Sequence, residues 1–360
     1  MRGGKNEQSS MLVLMSPETL IPAEHPARRI KKLADECLAG LSPLFDEMYA
    51  KTGRPSIPPE RLLKSLLLMC FYSISSERMF CERLRYDMLF RWFLDMSMVD
   101  DPFDASSFSR NRDRLLEHEV AHRFLQQVVS LAEAKRLMST DHFSVDGTLI
   151  QAWASQKSFR PKDEDEDNRG DGNGWADFKG KQRSNETHES KTDPEAKLLK
   201  KSDGQEAKLV FGGDVLMENR NGLVVDASAR IAVGTTEAEA ALELLMRSVP
   251  TKGITVGADK GYDSRFFVDG TRTLDATAHV AQNITAHRGS NIDGRTTRHV
   301  GYRLSGVIRR RIEQVFAWTK TVAGCRRSRF KGVKRTELLF TLACVAYNLL
   351  RISKLDPVAT

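Results

Sequence analysis

Between residues 140 and 354 the apolar pattern alternates between a strand period and a helix period, which restricts this part of the chain to a mixed α/β fold. Residues 143–150 read as a strand. Residues 209–219 and 223–233 read as two strands joined by the Asn219-Arg220-Asn221-Gly222 turn, a hairpin signal. An Ala/Leu/Glu-rich helix follows over 236–249, then short buried strands at 254–258 and 278–282. Helices over 305–322 and 335–354 close the region. The expectation is a sheet with helices on its faces.

Residues 1–140 carry helical spacing instead. Pro58 and Pro59 open a helix whose buried side is Leu62, Leu63, Leu66, Leu67, Cys70 and Phe71. A second helix is expected from Ser76, with Glu77 in its first turn. Asp104, Ser106 and Ser107 form a cap before 108–116, and a longer helix covers 120–138. Residues 157–207 differ from both parts. The run 162–168 is almost wholly charged and glycines follow it, so a flexible insertion is expected there.

The formal charge of +7 suits a polyanionic partner without requiring one. Five cysteines at 37, 70, 81, 325 and 344 show no zinc-like or paired spacing, which predicts reduced core thiols. The apolar runs 66–72 and 338–347 are shorter than a bilayer span, and no secretory signal is visible. A cytoplasmic location without membrane attachment is expected.

Three acids occupy positions where a carboxylate is costly or unusually placed. Asp146 interrupts the apolar strand Phe143-Ser-Val-Asp-Gly-Thr-Leu-Ile150, and Gly147 leaves room beside it for a ligand or another chain segment. It is either a site residue or a turn or edge residue. Asp259 ends the strand Ile254-Thr-Val-Gly-Ala-Asp259, where α/β sheets place their ligands, although a helix cap is the simpler explanation. Asp263 reads as the cap of a helix at 264–268. Glu313 is the single acid among the cations that crowd residues 295–335. On a straight helix Arg309, Glu313, Phe316 and Lys320 share one face, either a solvated stripe or a carboxylate set between phosphate-binding cations. Converging carboxylates are what two-metal phosphodiester chemistry needs.

The segments Ser144-Val-Asp-Gly-Thr148, Ala258-Asp-Lys-Gly-Tyr-Asp-Ser264 and Arg309-Arg-Arg-Ile-Glu-Gln-Val-Phe-Ala-Trp-Thr-Lys320 together resemble bacterial insertion-sequence DDE transposases, in particular the insertion sequence five group. The front half from Gly53, the segment 187–194 and the tail 332–355 resemble the same family. The resemblance implies an RNase H-like catalytic domain over 141–354, interrupted by the insertion at about 157–207, after a helical DNA-binding domain over 1–140. It assigns Asp146, Asp259 and Glu313 as catalytic metal ligands for Mg²⁺, with Mn²⁺ as a substitute. It assigns Arg309, Lys320 and Lys260 to DNA. The tyrosine of the family's tyrosine–arginine–glutamate–lysine signature falls on Gly306, leaving Tyr302 as a replacement.

The implied activity is metal-dependent cleavage at element ends and strand transfer into target DNA. The partners are double-stranded DNA, as terminal inverted repeats and target, and further copies of the chain assembled on DNA near the nucleoid. Arg110, Arg112 and Arg114 are either DNA contacts or a solvated face. Trp318 is expected in the core rather than on a flipped base. The competing readings are an inactive DNA-binding regulator descended from a transposase, and a nuclease without strand transfer.

Overall fold

The computed structural model describes residues 16–50, 52–53, 56–162, 184–200, 204–233, 236–249, 252–284 and 289–356. Eight helices come first among them: α1 (Pro17–Leu20), α2 (Pro26–Ala39), α3 (Ser42–Met48), α4 (Pro59–Phe71), α5 (Glu77–Arg83), α6 (Met88–Phe93), α7 (Ala105–Glu117) and α8 (Val120–Ala134). Their ends follow local chemistry. Pro59 starts α4 with Glu60 in the first turn. The Ser76 hydroxyl accepts from the Met79 N–H at 3.2 Å, and one Asp104 oxygen accepts from Ser106 and Ser107 at 3.0 and 3.1 Å. Helix α8 stops at Ala134, short of the expected 138, because Arg136 is left-handed at φ 57°. The Arg136 and Leu137 N–H groups then bond back to Glu133 and Ala132 in a Schellman turn, which an arginine does not announce.

The second half holds β1 (His142–Gln151), β2 (Phe159–Pro161), β3 (His188–Ser190), β4 (Lys197–Leu199), β5 (Lys208–Glu218), β6 (Val224–Ile231), α9 (Thr236–Ser248), β7 (Thr255–Ala258), α10 (Arg265–Thr273) and β8 (Thr277–Val280). Helices α11 (Gly294–Thr297), α12 (Val300–Ile308), α13 (Ile312–Thr321) and α14 (Val333–Leu355) complete it. Strand β5 pairs antiparallel with β1 on one edge and with β4 and β6 on the other, while β7 and β8 add in parallel beyond β1. This is a mixed, RNase H-like sheet flanked by helices. The β5–β6 turn is held by the buried Glu218 carboxylate, which accepts from the N–H groups of Arg220, Asn221 and Leu223, with Gly222 at φ 71°.

One hydrophobic core runs through both halves, from Leu62 and Phe108 to Val215 and Phe340. Helix α14 joins them by packing on α2, α4, α8 and β6. Asn348 pins it to the sheet by bonding both backbone groups of Val224, at 2.8 and 2.7 Å. Helix α14 is long and apolar enough to cross a membrane, unlike the short runs noted in the sequence, but 78% of its apolar window is buried inside the protein. All five cysteines are free and buried.

Two more expectations change. The helix foreseen over 305–322 begins earlier, at Val300, and tightens into a 3₁₀ turn at Arg309–Arg311 before α13. Three residues per turn instead of 3.6 rotate Arg309 away from the straight-helix stripe; Phe316 is buried while Glu313 is exposed. The described parts of the insertion at 157–207 are folded, with Phe159, Ala196 and Leu198 forming a small satellite core with Ala152 and Phe211. Residues 163–183 and 201–203 of that insertion lie outside the described residues. Ser264, not Asp263, caps α10, while the Asp263 carboxylate receives the N–H groups of Asn283 and Asn291, both at 2.8 Å.

A charged tie also links α8, β6 and α14. His122 Nε2 lies 3.4 Å from Glu337 and Nδ1 lies 3.8 Å from Asp226, which Arg247 grips at 2.8 and 2.9 Å. Burial disfavours the imidazolium, but these carboxylates outweigh it and push His122 up to about 9 from 6.5. A raised histidine stabilises the fold fully below its unfolded value and ceases to do so as pH rises through the folded one. Denaturant unfolding should therefore show a stability loss on the order of 2 kcal/mol between pH 6.5 and 9. His122→Gln should flatten that segment of the profile, and an unchanged slope would contradict the tie.

Candidate active site

Strands β1 and β7 run parallel in the register His142↔Thr255, Phe143↔Val256 and Ser144↔Gly257. Asp146 and Asp259 each lie two residues beyond the last of these pairs. The two aspartates thus follow the last pair by the same number of residues, near the carboxyl end of β7. Both residues are half-buried, and Asp259 is among the charges that act on Asp146. Asp259 also fills the capping role, accepting from the Lys260 N–H at the start of a 3₁₀ turn over Lys260–Tyr262.

The late helix approaches the same face of β1. Arg309 lies over Gly257, where an added Cβ would meet the Arg309 Cβ at 3.5 Å and the Ser144 hydroxyl at 3.2 Å. Its charge acts on Asp146, and its buried Nε has no hydrogen-bond partner among the described residues. Lys320 Nζ donates to the Thr148 hydroxyl, two residues beyond Asp146 on β1. The chain between these two contacts carries Glu313, which is exposed. Glu313 is not among the groups that chiefly set the ionisation of Asp146. Among the described residues no three histidine, cysteine, aspartate or glutamate side chains meet closely enough to hold a metal ion. The structure thus brings Asp146, Asp259 and Arg309 together, sets Lys320 alongside, and leaves Glu313 on the solvent side.

Two acids that sequence reasoning passed over belong to this region. Asp214 lies opposite Gly147 on β5 and is ion-paired with Arg230 at 2.7 Å. Glu237, in the first turn of α9, receives the Tyr262 hydroxyl at 3.1 Å. A Cβ on residue 147 would lie 2.5 Å from Glu237 Oε1 and 2.9 Å from Asp214 Oδ1, so the room left by Gly147 is taken by these carboxylates. Their negative charge is felt. Burial, then Glu237 and Asp259, push Asp146 up to about 6, against the Gly147 N–H and Arg309. Burial pushes Asp214 up to about 7 despite Arg230. The signal that found Asp146, an aspartate inside an apolar strand, applies equally to Asp214.

The remaining candidates divide. Lys260 is exposed beside Asp259. Tyr302 is committed to structure, donating to the Val280 carbonyl at 2.9 Å and meeting the His279 ring edge-on. Arg112 is buried and bonded to Glu77 and Asp113, so it is neither a DNA contact nor part of a solvated face. Arg114 lies over the Tyr49 ring, and Arg110 bonds the Ser106 carbonyl within its own helix. Trp318 meets Phe71 and Tyr347 edge-on, as expected of a core ring.

Residues 138–349 match the family described as "Transposase DDE domain", and residues 15–114 match "Transposase domain (DUF772)". No curated protein matches the chain. Among solved structures, a synaptic complex of piggyBac transposase with hairpin DNA is similar at 9% identity and a TM-score of 0.42, covering 94% of this chain and 76% of that one. A pre-cleavage Mos1 transpososome is similar at 11% identity and a TM-score of 0.21, covering 83% and 82%. The match to the DDE domain spans more than half of the sequence. The chain belongs to the insertion-sequence type of DDE transposases, a family whose catalysis is DNA cleavage and strand transfer, and its function is DNA transposition.

Proposed function

We propose that Asp146, Asp259 and Glu313 are the catalytic carboxylates of this transposase, and that they hold Mg²⁺, for which Mn²⁺ can substitute. The observation that carries this reading is that Asp146 and Asp259 each follow the last β1–β7 pair, Ser144↔Gly257, by two residues, with the Asp259 charge acting on Asp146. The donor set fits a hard divalent ion, which takes one or two carboxylates together with water and phosphate oxygens. Asp146 also sits where neighbouring carboxylates oppose its charge, a deficit that a cation corrects. Glu313, exposed on the solvent side, would join the two aspartates when ion and DNA bind. When bound, the ion supplies Lewis-acid stabilisation of the phosphate and leaving oxygens.

The chain's own residues then do the rest. Arg309 and Lys320, on either side of Glu313 and both on the Asp146 face of β1, hold DNA phosphates in register, with Lys260 at the Asp259 end. Water opens the phosphodiester at the element end, leaving a 3′-hydroxyl. That hydroxyl attacks a target phosphodiester and releases a target 3′-hydroxyl. The helices of residues 1–140 read the terminal inverted repeats, the half from 141 to 354 cuts, and copies of the chain assemble on the paired ends. Within the family we place the chain in the insertion sequence five group, working in the cytoplasm at the nucleoid.

Two outcomes are expected. Glu313→Ala should bind a duplex bearing the gene's own flanking ends with unchanged affinity while cleavage falls by about a hundredfold or more; undiminished cleavage would remove Glu313 from the site. Asp146→Asn should also abolish cleavage yet stabilise the metal-free protein. A carboxylate raised from 3.8 to about 6 stabilises the fold fully below 3.8, and that contribution is lost as pH rises through 6. At pH 8 in chelator, urea unfolding should show Asp146→Asn more stable by about 1–3 kcal/mol. Destabilisation would contradict the charge deficit.

A further inference from the structure

We infer that Glu237 is a positioning residue for DNA cleavage: it fastens the turn that bears Asp259 to the strand that bears Asp146. The inference rests on the reading of those two aspartates as catalytic.

Glu237 stands at a junction of three elements. It leaves the first turn of α9, where a carboxylate is favoured by the helix N-terminus. Its Oε1 lies against β1 at Gly147, the residue after Asp146, 2.5 Å from where a Cβ would sit. The same oxygen accepts the Tyr262 hydroxyl at 3.1 Å. Tyr262 is three residues beyond Asp259 and ends the 3₁₀ turn that Asp259 caps. Its ring is only 4% exposed and packs edge-on against Phe267 at 5.0 Å, so the hydroxyl has a fixed origin. The ladder between β1 and β7 stops at Ser144↔Gly257, two residues short of both aspartates. Beyond that point the backbone pairing no longer sets their separation. The chain Gly147–Glu237–Tyr262 spans the gap on the α9 side, while Arg309 lies over the opposite face of β7.

A carboxylate serving only α9 would not require Gly147 or Tyr262. Placing the Glu237 carboxylate beside the Asp214 carboxylate at Gly147 costs electrostatic energy, because like charges repel. A side chain kept there against that cost has its counterpart in the hydrogen bond to Tyr262 and the contact with β1.

The test uses the full chain and a duplex carrying the gene's own flanking ends, with single-turnover cleavage measured across a Mg²⁺ titration. Glu237→Ala and Tyr262→Phe should each slow cleavage by about tenfold or more and raise the half-saturating Mg²⁺, with DNA affinity and melting behaviour retained. Glu237→Gln, which still accepts from Tyr262, should stay within about threefold of the parent. The double variant Glu237→Ala/Tyr262→Phe should be little slower than either single one, because both cut one link. Parental rates in Glu237→Ala and Tyr262→Phe would overturn the inference. So would a Glu237→Gln variant as slow as Glu237→Ala, since that would make charge rather than placement its role. Asp146→Asn and Asp259→Asn are run beside them: if these still cleave, the catalytic reading itself fails, whatever Glu237 does.

Discussion

Everything in this site depends on a short parallel ladder between β1 and β7. Only the pairs from His142↔Thr255 to Ser144↔Gly257 are made, and both strands are buried around Phe143, Val145 and Val256. A one-residue slip would turn Asp146 toward the opposite face and lose its partner in register. The flanking hydrophobic side chains therefore hold the register in which both acids follow the last pair by two residues. Gly257 adds to this by leaving room beside the Ser144 hydroxyl, with the Arg309 Cβ in ordinary contact range.

Around that ladder the sheet separates two kinds of charge. Arg309 and Lys320 approach the Asp146 face of β1 from the late helical segment. Glu237 and Asp214 crowd the Gly147 face from α9 and β5. The result is a half-buried carboxylate whose protonation is raised by burial and by acids, with an arginine as partial compensation. Such a site has low stability of its own when charged and gains from a divalent cation or a polyanion-bound cation cloud. The remainder of the fold has to supply the rigidity, and α14 does so by tying the helical half to β6 through Asn348 and a continuous apolar core.

Much of this was legible in the sequence, and for local reasons. Strands β1, β5, β6, β7 and β8 announced themselves by apolar period and by the turn ending at Gly222. Asp146 stood out as an acid inside an apolar strand, and Gly147 beside it implied close approach by another segment; the structure shows that segment to be α9, through Glu237. Glu237 itself was not legible, because it is one of three glutamates in an Ala/Leu-rich helix and nothing local separates it from Glu239 and Glu243. Asp214 carried the same mark as Asp146 and was overlooked because its strand lacked a following glycine-based motif. The 3₁₀ turn at Arg309–Arg311 was illegible too, since three arginines suit an α-helix equally well. The anchoring of the insertion by Phe159, Ala196 and Leu198 was masked by the charge around it.

The most direct test of the central claim is a crystal structure of the full chain with a pre-cut DNA end and Mn²⁺, read by anomalous scattering. An anomalous peak bonded to Asp146 and Asp259 together, with the terminal phosphate beside Arg309 and Lys320, is the predicted result. A peak that avoids Asp146, or a terminal phosphate lodged away from the β1–β7 mouth, would contradict it.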